Sequence, residues 1–125
     1  MPNGGVENFT NTTWQNVSGG GYNYLVKSQE GIIGYLGLSH IVDTIKGKTI
    51  SIYYAVRSEY YGKGYGKLIL NEISQILKLQ NNVDIVIANV DNTNIYGLKT
   101  IEAAAFKRME ELSDEEETQF HKTIR

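Results

Sequence analysis

The chain has 125 residues, 41% hydrophobic and 21% charged, enough for one domain with a single two-layer core. Its net charge of −2, with Lys and Arg spread along the sequence, gives no basic stripe for nucleic acid. It has no cysteine, which excludes a disulfide framework, a thiolate zinc site and an acyl-cysteine intermediate.

The beginning of the chain, Met1-Pro2-Asn3-Gly4-Gly5, does not read as a signal peptide, and no apolar run approaches the ~20 residues of a membrane span. A cytoplasmic location without membrane association is the expectation. The sequons at Asn8, Asn11 and Asn16 then read as chance matches in an Asn/Thr-rich segment. That segment has room for one short helix over residues 7–16 and a hinge at Gly19-Gly20-Gly21. Residues 22–26 and 32–38 read as antiparallel strands with a polar turn at 28–31, and residues 43–48 make the next turn.

Residues 49–56 alternate in hydrophobicity and are rich in β-branched and aromatic side chains, which predicts a strand. Ile69, Leu70, Ile73, Ile76 and Leu77 then fall at helical spacing, predicting a helix over 64–80 with one buried stripe. Gly62, Gly64 and Gly66 stand at alternate positions between them. A strand, a glycine turn and a helix start bring unpaired N–H groups and the positive helix end to one point, which suits a diphosphate. Lys63 and Lys67 add positive charge. The P-loop pattern fails, because Tyr61 and Leu68 stand where a glycine and a hydroxyl belong. The dinucleotide fingerprint also fails, because its third glycine would fall on Lys67 or Ile69.

Residues 83–90 form an apolar run suited to a central strand buried on both faces. Asn94 opens a second helix carrying Ile95, Leu98, Ile101 and Ala105, and it can act as an N-cap. Two further strands, 106–111 and 118–124, enclose the acidic run Asp114-Glu115-Glu116-Glu117, read as a solvated hairpin tip that could attract a cationic amine. His40 and His121 lie far apart in sequence, so no metal site is expected.

With those residues in view, the chain resembles the GNAT family of N-acetyltransferases. The family's [Arg/Gln]-x-x-Gly-x-[Gly/Ala] appears as Tyr61-x-x-Gly64-x-Gly66, with Tyr61 and Ser58 departing from the usual Arg or Gln and proline. A second family segment matches as Val90, Asn94, Gly97 in the serine position, and Ala105-Phe106 for the usual Gly-Phe. The wording is most similar to the ribosomal-protein and amino-group acetyltransferase branch.

The resemblance implies an α+β fold, a twisted and mostly antiparallel sheet flanked by helices, with the N-terminal segment 1–21 shortened and the core over 22–125. It implies acetyl-CoA as cosubstrate, held by Val56, Tyr61, Gly62, Lys63, Gly64, Tyr65, Gly66, Lys67 and Asn94. It implies an enzyme that passes the acetyl group directly to a primary amine of a small molecule or protein, with a homodimer allowed. A backbone N–H at Val56 or its neighbour would polarise the thioester carbonyl. The glutamate and tyrosine used by many relatives are replaced here, by Ile50 and Ser51 and by Ile101. No catalytic side chain is therefore assigned, and Tyr53, Tyr54, Tyr96, Glu59 and His40 stand as substitutes with ordinary structural explanations. The alternatives are a non-catalytic acyl-CoA-binding module and a subunit active only in a complex.

Overall fold

The computed structural model describes residues 8–11, 22–28 and 31–125. They form a mixed sheet of eight strands. β1 (Asn8–Asn11), β2 (Tyr22–Ser28), β3 (Gly31–Leu38) and β5 (Gly47–Val56) lie side by side and antiparallel, and β4 (Val42–Thr44) folds back on the start of β5. β6 (Ile85–Asp91) runs parallel to β5, followed by β8 (Glu117–Thr123) and the two-residue β7 (Lys107–Arg108), both antiparallel. A parallel pair needs a crossover, and helix α1 (Tyr65–Asn81) supplies it. Helix α2 (Ile95–Ala103) follows β6.

Strand alternation decides which face is covered. Ile50, Ile52 and Val56 of β5 and Val86, Ala88 and Val90 of β6 are buried. They share one cluster with Leu68, Ile69, Ile73 and Leu77 of α1, Ile101 of α2 and Phe120 of β8. The intervening Ser51, Tyr53, Ala55, Asn89 and Asp91 are exposed on the opposite face. The helices thus occupy one face, and the sheet beyond Ile52 and Ala88 meets solvent on the other.

Several boundaries differ from the sequence expectations. The described part of the expected 7–16 helix, Asn8–Asn11, is a strand paired with β2. The remainder, the Gly19-Gly20-Gly21 hinge and residues 29–30 of the next turn lie outside the described residues. The turn expected over 43–48 is narrower, because Asp43 and Thr44 already pair with Lys48 and Gly47. The strand expected over 106–111 shrinks to Lys107–Arg108. Leu112 and Ser113 close a 3-10 turn back on Met109 and Glu110, and the Ser113 hydroxyl takes the Gln119 N–H that a longer strand would have used. In α2 the buried line is Gly97 and Ile101, continued by Ala104, while Ile95 and Ala105 are exposed.

Candidate functional site

β5 and β6 pair from Thr49↔Ile85 to Ile52↔Ala88, and there the ladder stops although both strands continue. The direction of the unused main-chain groups follows from the other side of β5. The Arg57 N–H donates to Ile33 C=O and the Ser51 C=O accepts from Ser39 N–H, both at 2.9 Å. Odd-numbered residues of β5 therefore spend their main-chain groups on β3. Tyr54 and Val56 point theirs the other way, into the opening where β6 has separated.

That opening is a cleft of about 270 Å³. Tyr53 to Val56 form one wall, Asn89 to Asp91 the other, and Tyr61, Asn94, Tyr96 and Gly97 close the end towards the helices. Tyr61 stacks on Tyr96 with ring centroids 4.0 Å apart and planes 10° apart. The aromatic face offered here replaces the polar reach that an Arg or Gln would have. Tyr54 reaches the Gly97 carbonyl with its hydroxyl, 3.4 Å, and burial first, then Tyr96, pushes its phenol far above the ordinary tyrosine range. It stays protonated throughout the neutral range.

The glycine loop leads from β5 into α1 at the mouth of this cleft. After Val56, a 3-10 turn at Ser58–Tyr60 carries the chain outward, with Arg57 paired to Glu59 at 2.8 Å on its exposed side. Gly62 and Gly64 have φ of 79° and 83°, and a Cβ on either would meet nothing within 4 Å. They are glycines for conformation, because L side chains avoid that region. Gly66 is different. It is helical, and a Cβ there would stand 2.6 Å from Thr100 Cγ2 and 3.3 Å from the Tyr96 hydroxyl. It is glycine so that α1 and α2 can touch.

The first α1 closure is Leu68 N–H to Gly64 C=O, 3.1 Å. The N–H groups of Gly64, Gly66 and Lys67 precede it and have no acceptor within the helix. They lie at the positive end of a 17-residue helix that no side chain caps. Tyr65, only 1% exposed, packs edge-on against Tyr60 at 5.9 Å, so it can offer main chain but not its ring. Lys63 lies 5.4 Å from the Tyr60 ring centroid, while Lys67 is exposed.

Asn94 caps α2, its Oδ1 accepting the Gly97 N–H at 2.9 Å, and it also lines the cleft. Cap and cleft wall are the same residue. Of the sequence-predicted residues, Val56, Tyr61 and Asn94 border the cleft directly, and the 62–67 loop lies between β5 and α1 at its end. Ile101 is fully buried, so the position that carries a tyrosine in many relatives is core here. Of the possible substitutes, Glu59 is on the outer turn and His40 lines a separate, larger cavity between β3 and α1. Asn89 and Asp91 also line the cleft and were not singled out from sequence, and Glu117, read there only as part of the acidic run 114–117, joins them. Strand alternation could place Asn89 and Asp91 on one face, but only the β6–β8 register brings Glu117 opposite Asp91. Asn89 is held from behind: the Gln119 amide donates to its Oδ1 at 3.2 Å, and the Gln119 carbonyl meets His121 Nε2 at 2.7 Å.

A parallel strand pair that parts over an amide-lined cleft, with a glycine loop and helix start at its end, defines the acyl-coenzyme A acyltransferase class of fold. The chain belongs to the acetyltransferase (GNAT) domain family, whose model matches residues 2–107. No curated protein sequence matches it significantly. The fold is similar to that of aminoglycoside N(6′)-acetyltransferase from Legionella pneumophila, at 18% identity and a TM-score of 0.67, with 83% of this chain and 63% of that one covered. It is also similar to N-acetyltransferase PseH from Campylobacter jejuni in complex with acetyl coenzyme A, at 19% identity, TM-score 0.67, covering 82% of this chain and 67% of that one. Spermidine N-acetyltransferase from Vibrio cholerae in complex with CoA and spermine matches at 15% identity, TM-score 0.70, covering 86% of this chain and 68% of that one. The chain thus spans about two thirds of the length of these structures. At such identities the likeness speaks for the fold alone.

Proposed function

We propose that this chain binds acetyl-CoA and transfers its acetyl group to a primary amine of a small molecule or protein. The observation that carries the reading is the end of β5–β6 pairing at Ile52↔Ala88, which turns the Tyr54 and Val56 main chain into the cleft. In this reading the amides of Gly62, Lys63, Gly64, Tyr65, Gly66 and Lys67 hold the diphosphate. Val56, Tyr61 and Asn94 hold the arm that leads to the thioester. These residues fit such a ligand: the helix start offers N–H groups that precede its first closure, Lys67 adds charge, and the cleft offers strand amides with no β6 partner beyond Ile52.

When bound, acetyl-CoA supplies an acyl group activated as a thioester. The chain's part is to orient and polarise. Tyr54 N–H and Val56 N–H are fixed by the β3–β5 ladder, so they need not reorganise to stabilise charge on an acyl oxygen. Tyr54 keeps its phenolic proton and can donate it as a hydrogen bond within the cleft. An amine must arrive or become neutral before it attacks; no catalytic base is assigned, and solvent at the open, helix-free face is the proton acceptor in this reading. Asp91 and Glu117 on that face favour a cationic acceptor. The neighbours named for aminoglycoside and spermidine acetylation support amines as the class to test first.

A non-catalytic acyl-CoA-binding module is the second reading, favoured by the fully buried Ile101 in the usual tyrosine position. Calorimetric titration with acetyl-CoA, followed by thiol release over a panel of amines, separates the two. Binding with turnover supports the enzyme, binding without turnover the module, and no binding refutes both. A cytoplasmic location, a single 1–125 domain with a reduced N-terminal segment, and a homodimer belong to the same proposal. No described helix is long and apolar enough to cross a membrane. Sedimentation and cell fractionation test the assembly and the compartment.

A further inference from the structure

We propose that a cavity near the ends of β7 and β8, separate from the cleft, is a binding site for a small anion carrying a carboxylate or phosphate group. The cavity has a volume of about 420 Å³ and is open to solvent on one side. Lys46, Lys107 and His121 border it, with Lys122 next to them on β8, over an apolar floor that includes Ile85 and Met109. It shares no lining residue with the acyl-donor cleft.

The sequence scatters these cations over nearly eighty positions, and the fold collects them. Lys46 comes from the tight turn between β4 and β5, Lys107 from β7, and His121 and Lys122 from β8. Lys107 and His121 are cross-strand partners, so their side chains leave the sheet on the same face. Lys46 is close enough for its charge to disfavour protonation of His121, an effect added to that of burial. The Arg125 guanidinium donates to the Lys46 carbonyl at 2.8 Å and brings a further cation to the rim.

Among the described residues, no Asp or Glu side chain lines the cavity. The acids nearby are engaged or peripheral: Asp43 pairs with Lys48 at 3.1 Å, and the Asp84 carboxylate accepts the Lys48 N–H at 2.9 Å. Glu111 acts weakly on His121, opposing the effect of Lys46. Lys122 alternates with His121 along β8, so its ammonium leaves on the helix side of the sheet, where it donates to the Ala104 carbonyl at 2.9 Å and lies near the Phe106 ring. The charges that face the cavity are those of Lys46, Lys107 and His121. Lys46 and Lys107 make no ion pair among the described residues. In a chain of net charge −2, such a gathering of like charge raises the energy of the folded state and lowers it again when an anion enters. Ammonium groups suit a compact anion without demanding bidentate geometry, and the Ile85 and Met109 floor suits a short apolar portion.

The His121 imidazole is a built-in reporter, because an anion beside it favours its protonated form. The test is an NMR pH titration of His121 in the full chain with inorganic phosphate, pyrophosphate or succinate. Each probe is added at about 10 mM and compared with sodium chloride of equal ionic strength, so that general screening is subtracted. The expected result is that at least one probe raises the His121 midpoint by about 0.5 pH unit or more, and that K46A/K107A abolishes the rise. Phosphate or pyrophosphate acting alone identifies a phosphate site, and succinate acting alone identifies a carboxylate site. An equal rise with chloride, an undiminished rise in the double variant, or no rise with any probe overturns the proposal. If K46A/K107A fails to fold, the single variants K46Q and K107Q are read in the same way.

Discussion

Gly66 makes contact between the two helices possible, and replacing it tests that reason separately from the reason for Gly64. In G66A the new Cβ would stand 2.6 Å from Thr100 Cγ2, a distance that forces α1 and α2 apart. Overpacking of this kind costs about 1–3 kcal/mol. Alanine also returns up to about 1 kcal/mol through helix propensity. The expected balance is a loss of about 1 kcal/mol, or a fall in Tm of about 3–5 °C for a domain of this size. Thr100→Ala removes the atom in the way, so G66A/T100A is expected to be at least as stable as T100A alone. G64A is the contrast: nothing stands near its new Cβ, yet φ is 83°, so it loses about 1–2 kcal/mol and T100A gives no relief. Urea unfolding of the parent, G66A, G64A, T100A and the two doubles G66A/T100A and G64A/T100A measures all of this in two cycles. A G66A protein as stable as its parent, or a loss that T100A leaves intact, refutes helix contact as the reason for this glycine.

The remaining expectations are smaller. Ala105 has a φ of 68° at the end of α2, so A105G should stabilise the fold by about 0.5–1 kcal/mol in urea unfolding, and a destabilised variant would contradict the assigned backbone. N94A should cost about 1 kcal/mol for the lost cap, whereas N94D keeps the cap; calorimetry on N94D then isolates the part Asn94 plays in holding acetyl-CoA, and equal affinity in all three proteins would leave it a cap only. His121 is held below its ordinary 6.5, by burial first and then by Lys46, against a smaller opposing effect of Glu111. Its neutral form is therefore the one the fold favours: the associated stability is complete above the unfolded value near 6.5 and is lost as pH falls through the depressed folded value. Unfolding of H121Q should vary less with pH than that of the parent between about 7 and 5, and an unchanged profile would refute this sign.

Much of the framework was legible because single faces are buried. Alternation located β2, β3 and β5, and the stripe of Ile69, Leu70, Ile73 and Leu77 located α1 to within a residue of its observed Tyr65–Asn81. The loop and Asn94 were legible from spacing, since local geometry there depends on residues close in sequence. What escaped depends on distant partners. Asn8–Asn11 is polar and becomes a strand only by pairing with β2. Residues 106–111 look like a strand, but Ser113 takes up a main-chain N–H of β8 and ends the ladder after Arg108. The different reasons for Gly64 and Gly66 are invisible in a glycine pattern, because one lies in the backbone and the other in Thr100, more than thirty residues away. Charge was legible only where it is contiguous in sequence, as at Lys63 and Lys67 or in the 114–117 run, whereas the grouping of Lys46, Lys107 and His121 needs the turn and two strands to meet.

The parting of β5 from β6 has a consequence for motion as well as for chemistry. Strand amides normally exchange their hydrogens slowly, because a neighbouring carbonyl must let go first. Those of Tyr54 and Val56 have no such guard from β6, although their neighbours on β5 remain latched to β3. Deuterium uptake along this one strand should therefore alternate, fast at even positions past 52 and slow at odd ones, and a molecule lodged in the gap would erase the alternation.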